Sequence, residues 1–414
     1  MARERRRNFR RNYALFFIES VGYPLGFSII SSSTIIPLLL TQLGASNLVI
    51  GLAPAVGNLG VFVPGIFAAA YIERLRIKKK VFVTFAMVER ALILAIAGIV
   101  MAWGIGNPQA AIIGFLVAWF LSSVAAGVNL PAYFAMLAKC IPPESRGGLF
   151  GISGAISGVV GVFVAEAVGI VLTRIPFPKG FALLFTTAFA VLSMSVLPLA
   201  FTAEPPDEHA GEGRSPMQYL RDAAEAARRD SHYAWSIAAI AILSIALTAT
   251  SFYSTFAVRM LGATTRDVGR FTALTVGATV VGMPLLGRLA DRRGHKLSLI
   301  ITAGFFALAG MLAISASSLD AMYPVIFLAS MGMSGITVSQ NLLASEFAPT
   351  YAEVPMYVTF SWLVLAPFRA GAPVLAGYIS DTFGFHTMFW ITLAASMAAM
   401  IVLLLAVSEP RHRD

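Results

Sequence analysis

The chain has 414 residues and a formal net charge of +9, yet only 12% of its residues are charged and 57% are hydrophobic. A soluble globular chain carries about 25% charged residues, so a water-soluble enzyme or binding domain is excluded as the body of this protein. Five histidines and one cysteine, with no HExxH, Cys/His cluster or GxSxG spacing, offer no metal or nucleophile signature and lead to no expected cofactor.

About 20 residues rising ~1.5 Å each cross a hydrocarbon core ~30 Å thick. Runs such as GVFVAEAVGIVLT and IVLLLAV do not alternate polar and apolar as barrel strands do, so the spans are helices. In chain order, spans one to six are predicted at about residues 12–40, 49–73, 81–104, 109–139, 147–174 and 180–201. A long polar segment follows, TAEPPDEHAGEGRSPMQYLRDAAEAARRDSHY. Its start reads as a flexible linker. Ser215 as N-cap and Pro216 at the first helical position then predict a short amphipathic helix over 215–229. Spans seven to twelve are predicted at about 234–258, 267–290, 298–318, 320–345, 353–381 and 386–407. The expected division is a six-helix bundle at 1–201, a linker at 202–233 and a second six-helix bundle at 234–414.

Basic residues favour the cytoplasmic side. With both termini inside, inward segments hold 23 of the 30 Lys and Arg, outward segments hold five, and Arg90 and Arg369 lie within spans. Both termini are therefore expected in the cytoplasm, in a multi-pass plasma (cytoplasmic) membrane protein. The basic opening MARERRRNFRRNY is explained by anionic membrane lipid beside it, and no nucleic acid partner is expected. The first apolar run is too long for a cleaved signal peptide and lacks a small-residue cleavage site. Cys140 lies near the end of span four, where a packing role is expected.

The halves repeat. LTQLGASNLVIG (40–51) aligns with VRMLGATTRDVG (258–269), pairing Gly44 with Gly262 and Ser46 with Thr264. Carried forward, that offset places Glu73-Arg74 on Asp291-Arg292. PPESRG (142–147) matches APTYAE (348–353), and GFALLF (180–185) matches GFHTMF (384–389). Repeated halves in a membrane chain are a common build of secondary transporters, which rock one half against the other.

Between spans eight and nine stands GRLADRRGHK, residues 287–296. Its spacing of Gly287, Asp291, Arg292, Gly294 and Lys296 closely resembles the signature loop of the major facilitator superfamily. IPPESRGGLFG after span four and GYISDTFGF at the end of span eleven are similar to that family's loops at those places. The loop copy between spans two and three is degenerate: Ala69, Glu73 and Arg76 replace the first Gly, the Asp and the second Gly. The resemblance covers nearly the whole chain. It implies an all-α integral membrane fold of twelve transmembrane helices in two pseudo-symmetric six-helix bundles, working as a monomer by alternating access. It also implies that Asp291 and its basic neighbours form a conformational latch at the cytoplasmic helix ends, with Glu73 and Arg74 as a weaker counterpart.

Charges inside a membrane are costly and are functional candidates by default. Glu19 in span one is a candidate proton carrier, or a surface partner of Arg10 or Arg11. Glu89 and Arg90 are adjacent, so they are expected on different helix faces and unpaired; span three is peripheral in the resembled fold, which makes both structural. Arg369, flanked by Pro367 and Pro373, lies deep in span eleven. It is either a substrate or coupling residue or half of a buried salt bridge, with Glu166 in span five as a natural partner. Asn129, Tyr133, Tyr253, Gln340 and Asn341 complete the candidates on spans four, seven and ten. The antiporter pattern is incomplete, because span four has no Arg before Gly127 and span five has no Gly-Pro; its glycines 151, 154, 158 and 161 are expected to allow close helix packing. A small-molecule solute moved by secondary transport is expected. No GxxxxGK[ST] loop is present, so the drive is expected to be an ion, a proton. Export of hydrophobic compounds, uptake or exchange of a small anionic metabolite, and a receptor that transports nothing all remain open.

Overall fold

In lipid the backbone must satisfy its own hydrogen bonds, so the apolar runs close into helices. The computed structural model describes residues 2–206, 225, 230–348 and 354–409; the helix expected over 215–229 lies outside these apart from residue 225. The first-half helices are α1 Ala2–Ile29, α2 Ile35–Gln42, α3 Asn47–Glu73, α4 Lys79–Trp103, α5 Pro108–Cys140, α6 Pro143–Arg174 and α7 Lys179–Val196, followed by a 3-10 turn at Leu197–Phe201. The second-half helices are α8 Ser231–Thr248, α9 Thr250–Met260, α10 Thr265–Arg293, α11 His295–Ser315, α12 Met322–Glu346, α13 Val354–Phe383 and α14 Phe385–Leu405. Among the described residues eleven stretches are long and apolar enough to cross a membrane, with α8 and α9 forming one of them. Large apolar side chains such as Phe163 and Leu405, 71% and 83% exposed, cover the outer faces. A water-soluble protein does not expose so many together.

Span one is not the continuous helix expected over 12–40. It breaks between α1 and α2, at Ile30–Thr34. Ser31, Ser32, Ser33 and Thr34 have side chains that compete for backbone hydrogen bonds. Pro37 then falls in the first turn of α2, where its missing N–H leaves no bond unmade.

The aligned repeat appears in the backbone. Gly44 and Gly262 both adopt left-handed φ, +77° and +71°, which glycine does without steric cost. Two residues later Ser46 Oγ accepts from Val49 N at 3.3 Å, and Thr264 Oγ1 accepts from Asp267 N at 3.4 Å. Both hydroxyls cap the helix that follows, and Asp267 Oδ2 returns a bond from Thr264 N at 2.9 Å to complete a capping box.

By internal contacts the chain divides into two compact units, residues 1–31 with 56–216 and residues 32–55 with 217–414. The first unit is built around Phe16, Phe82, Tyr133, Met136 and Leu199. Its α3 and α5 touch backbone to backbone: a Cβ on Gly127 would strike Val61 O, and one on Gly60 would strike the Ser123 side chain. Small residues make such approaches possible in membrane helices. Two of the four glycines of span five differ from expectation: among the described residues nothing lies within 4 Å of a Cβ built on Gly151 or Gly154.

The second unit is built around Tyr233, Phe306, Leu343, Leu365 and Leu403, and it takes in residues 32–55 from the first half of the sequence. Asp381 at the end of α13 accepts from Asn47 N at 2.9 Å and Leu48 N at 2.8 Å, capping α3 with both carboxylate oxygens. Arg259 donates to Asn47 Oδ1 at 2.7 Å and to Ala45 O. A Cβ on Gly51 or Gly377 would strike the backbone of Pro373 or Asn47. A carboxylate on orphan N–H groups at a helix N-terminus is favourable. Asp381→Ala is expected to cost about 1 kcal/mol of stability, read from thermal unfolding of the purified protein. Melting unchanged from wild type would mean the cap contributes nothing.

A second symmetry, not anticipated from the sequence, joins the segment after each half's last span to that half's other helices. Behind the 3-10 turn, Ala203 exchanges two bonds with Asn12, Nδ2 to O at 3.1 Å and N to Oδ1 at 2.9 Å. Glu204 accepts from Lys78 N at 2.9 and 3.0 Å and from Lys79 N at 2.8 Å, capping α4. In the second half, His232 Nδ1 lies 2.8 Å from Ala406 O and 3.2 Å from Ser408 N. There the Glu409 carboxylate stands where a Cβ on Gly294 would be, at the start of α11.

Candidate functional site

A polar cluster lies buried in the first unit. Helix α1 contributes Glu19, Ser20 and Tyr23, with Tyr23 one turn beyond Glu19 and on its face. Helix α4 contributes Glu89 and Arg90, and α5 contributes Asn129 and Tyr133. Arg90 Nη1 donates to Glu89 Oε2 at 2.7 Å and to Ala86 O at 3.0 Å. Asn129 Nδ2 donates to the same Glu89 oxygen at 3.0 Å. Glu89 and Arg90 are each 1% exposed, and the guanidinium sits 5.5 Å over the Tyr23 ring. Glu19, also buried, neighbours Tyr133, whose hydroxyl is 3.3 Å from Ser20 Oγ.

Two expectations are corrected here. Glu89 and Arg90 do pair: adjacent Cβ atoms diverge, but these side chains are long enough to fold along the helix and meet once both are buried. Glu19 stands among Tyr133, Glu89 and Arg90, not at the surface with Arg10 or Arg11. Ser20 and Tyr23 were not singled out from the sequence. Only Tyr23 had a signal, its i+4 spacing from Glu19. Chemically, one guanidinium stands within electrostatic reach of two carboxyl groups and bonds one of them, Glu89. With both ionised the cluster carries net negative charge in a medium that disfavours it, and one added proton balances it.

The second unit holds a smaller group. Arg369 on α13 is half-buried and donates through Nη2 to Gln340 Oε1 on α12. Next to it in sequence, Asn341 Oδ1 accepts from Trp362 Nε1 at 2.7 Å. Arg369 thus meets a neutral amide; Glu166, half-buried on α6, belongs to the other unit. Tyr253 on α9 is 1% exposed, its ring 5.4 Å from that of Phe389.

In the signature loop Asp291 and Arg292 are exposed on the last turn of α10. Gly294 has φ +91°, the left-handed value that turns the chain from α10 into α11. Lys296 Nζ lies 3.5 Å from Leu404 O, and a Cβ on Gly287 would come no closer than 3.9 Å to Val338. In the degenerate copy Arg74 is exposed; the Glu73 side chain lies outside the described residues. In the loop after span four, Arg146 donates to Ile141 O and Ala138 O, both at 2.9 Å, closing the end of α5.

Residues 17–368 match the sequence model of the Major Facilitator Superfamily. The chain belongs to the major facilitator superfamily. Similar curated proteins include two from Escherichia coli (strain K12). The probable multidrug resistance protein EmrY is 30% identical over 158 residues, 37% of this chain and 29% of EmrY. Multidrug export protein EmrB is 27% identical over 130 residues, 31% of this chain and 25% of EmrB. The chain thus matches less than a third of either relative's length. Among solved structures, a mutant of nucleoside transporter NupG aligns with TM-score 0.74 at 11% identity, over 96% of this chain and all of NupG. D-xylose-proton symporter aligns with TM-score 0.72 at 14% identity, over 97% of this chain and 99% of that one. At such identities the likeness is of fold. This major facilitator chain therefore has the all-α membrane architecture of transporters, and its family is one of transporters, not enzymes.

Proposed function

We propose that this protein is a proton-coupled secondary transporter that exports small, largely hydrophobic solutes by alternating access. The buried cluster of two carboxyl groups around one guanidinium carries the reading. In it Glu19 is the exchangeable proton site, because no cation bonds it among the described residues, while Glu89 is held by Arg90 and Asn129. Export is supported by the multidrug relatives, and proton coupling by a symporter of the same fold. Gln340, Asn341 and Arg369 are proposed to line the solute path in the second unit. The loop at Gly287–Lys296, with Glu73 and Arg74, is proposed to latch the cytoplasmic helix ends in one state of the cycle. The proposed setting is the inner membrane, with both termini cytoplasmic, where most of the basic residues fall, and the working form is a monomer.

The test is flux of tetraphenylphosphonium in proteoliposomes with an imposed pH gradient. Wild type is expected to move it in proportion to the gradient. Glu19→Gln is expected to lose gradient-driven flux at least tenfold while keeping exchange across vesicles at equal pH. Flux that ignores the gradient in both proteins would sink the coupling. If wild type moves benzoate and not the cation, the solute is an organic anion and Arg369 becomes the residue to change.

A further inference from the structure

At the C-terminus of α14 the final carbonyls have no partner within the helix, and side chains of two other elements reach them. Lys296 Nζ on α11 lies 3.5 Å from Leu404 O, and His232 Nδ1 on α8 lies 2.8 Å from Ala406 O. Val407 follows, buried in the core of the unit. The chain then runs on to Ser408 and Glu409, both half-buried. Ser408 N lies 3.2 Å from the same imidazole nitrogen, His232 Nδ1.

The two contacts make opposite demands. A carbonyl oxygen only accepts and a backbone amide only donates, so Nδ1 must carry a proton for Ala406 and a lone pair for Ser408. A neutral imidazole meets one demand or the other, with a different tautomer for each. An imidazolium carries protons on both nitrogens and meets only the first. Its bond to Ala406 O is then charge-assisted, and its charge stands where a helix C-terminus favours a cation. The Ser408 amide meanwhile faces an N–H. Imidazole changes charge within about pH 5–8, and the half-buried His232 is open to protons from solvent.

The other charged and titratable groups on the elements packed here have contacts of their own. Asp230 accepts from the amides of His232 and Tyr233 at 2.9 and 3.2 Å. Glu346 at the end of α12 lies 3.8 Å from His295 Nε2. Glu409 stands against Gly294, and on α13 Tyr357 O accepts from the Tyr233 hydroxyl at 2.6 Å. We propose that His232 is a proton-operated clasp on the C-terminal tail: neutral, it holds Ser408; protonated, it bonds the end of α14 alone and loosens the tail beyond Val407. The tail thereby senses pH on its own side of the membrane. This device is separate from the Glu19 cluster and independent of which solute moves.

The experiment is amide hydrogen exchange of the purified full-length protein at about pH 6 and about pH 8. Rates are corrected for the intrinsic pH dependence of exchange, and the Ser408 amide is resolved by fragmentation. Wild type is expected to protect Ser408 about three- to tenfold less at the lower pH, the worth of one hydrogen bond. His232→Asn puts an amide group near the place of Nδ1 and does not titrate, so its protection is expected to be equal at both. His295→Gln removes the other imidazole at this end and is expected to keep the wild-type response. Wild-type protection that is unchanged, or greater at the lower pH because the charged ring holds Glu409, overturns the clasp without any variant. The wild-type fall persisting in His232→Asn, or vanishing in His295→Gln, overturns it as well. The readout involves no solute and no gradient, so losing the clasp leaves the transport reading standing.

Discussion

Arg90→Met is expected to lower the stability of the folded protein by about 3–5 kcal/mol, the range seen when one partner of a buried pair is removed. The guanidinium makes three contacts that nothing else can replace: Glu89 at 2.7 Å, Ala86 O at 3.0 Å and the Tyr23 face at 5.5 Å. Without it Glu89, 1% exposed, keeps one bond from Asn129 and either stays charged in an apolar setting or takes up a proton. The double variant Glu89→Gln/Arg90→Met removes both charges and is expected to recover most of the loss, because replacing both members of a buried pair is often nearly neutral. Unfolding curves of the two variants in one detergent decide the matter. A double variant no more stable than the single one would mean the pair does not act as a unit.

Glu204→Ala is expected to cost about 2–3 kcal/mol. The Glu204 side chain is 1% exposed, accepts from the amides of Lys78 and Lys79, and pairs with Lys139 Nζ at 2.6 Å. Hydrogen bonds to a charged group contribute about 1.5–3 kcal/mol, and the α4 dipole favours the charge in this position. Alanine leaves the α4 amides without their cap and Lys139 with its bond to Arg76 O but no carboxylate. Glu204→Gln keeps an acceptor but no charge, so its melting temperature should fall between the other two. Equal melting of wild type and Glu204→Ala would show that water replaces the carboxylate at no cost.

What the sequence disclosed followed from local physics. Apolar length identified the spans, and the Gly44/Gly262 and Ser46/Thr264 correspondence identified a repeat that the backbone torsions and caps carry. The pairing of Glu89 with Arg90 was hidden because the spacing rule describes where Cβ atoms point, not where long buried side chains end. The break in span one was written in Ser31–Thr34 but masked by the apolar residues on either side. The tail caps had a readable trace: TAEP at 202–205 recurs as VSEP at 407–410, each placing a glutamate just beyond its half's last helix. The bond of Arg369 to Gln340, and the position of Glu19 among three other ionisable or phenolic groups, depend on which helix faces meet. No local pattern encodes that.

The cap on α3 also sets a schedule for biosynthesis. Asn47 and Asp381 are separated by 334 positions, and a ribosome adds about 5–20 residues per second. The amides at the start of α3 therefore wait roughly 15–70 s between their own synthesis and that of the carboxylate that binds them. Lys78 and Glu204, 126 positions apart, wait roughly 6–25 s at the same pace. The nascent chain can finish the caps of its first unit while most of the second is unmade. One of the earliest helix ends to leave the ribosome is thus among the last to find its partner, and in the interval water or the insertion machinery must hold its amide groups.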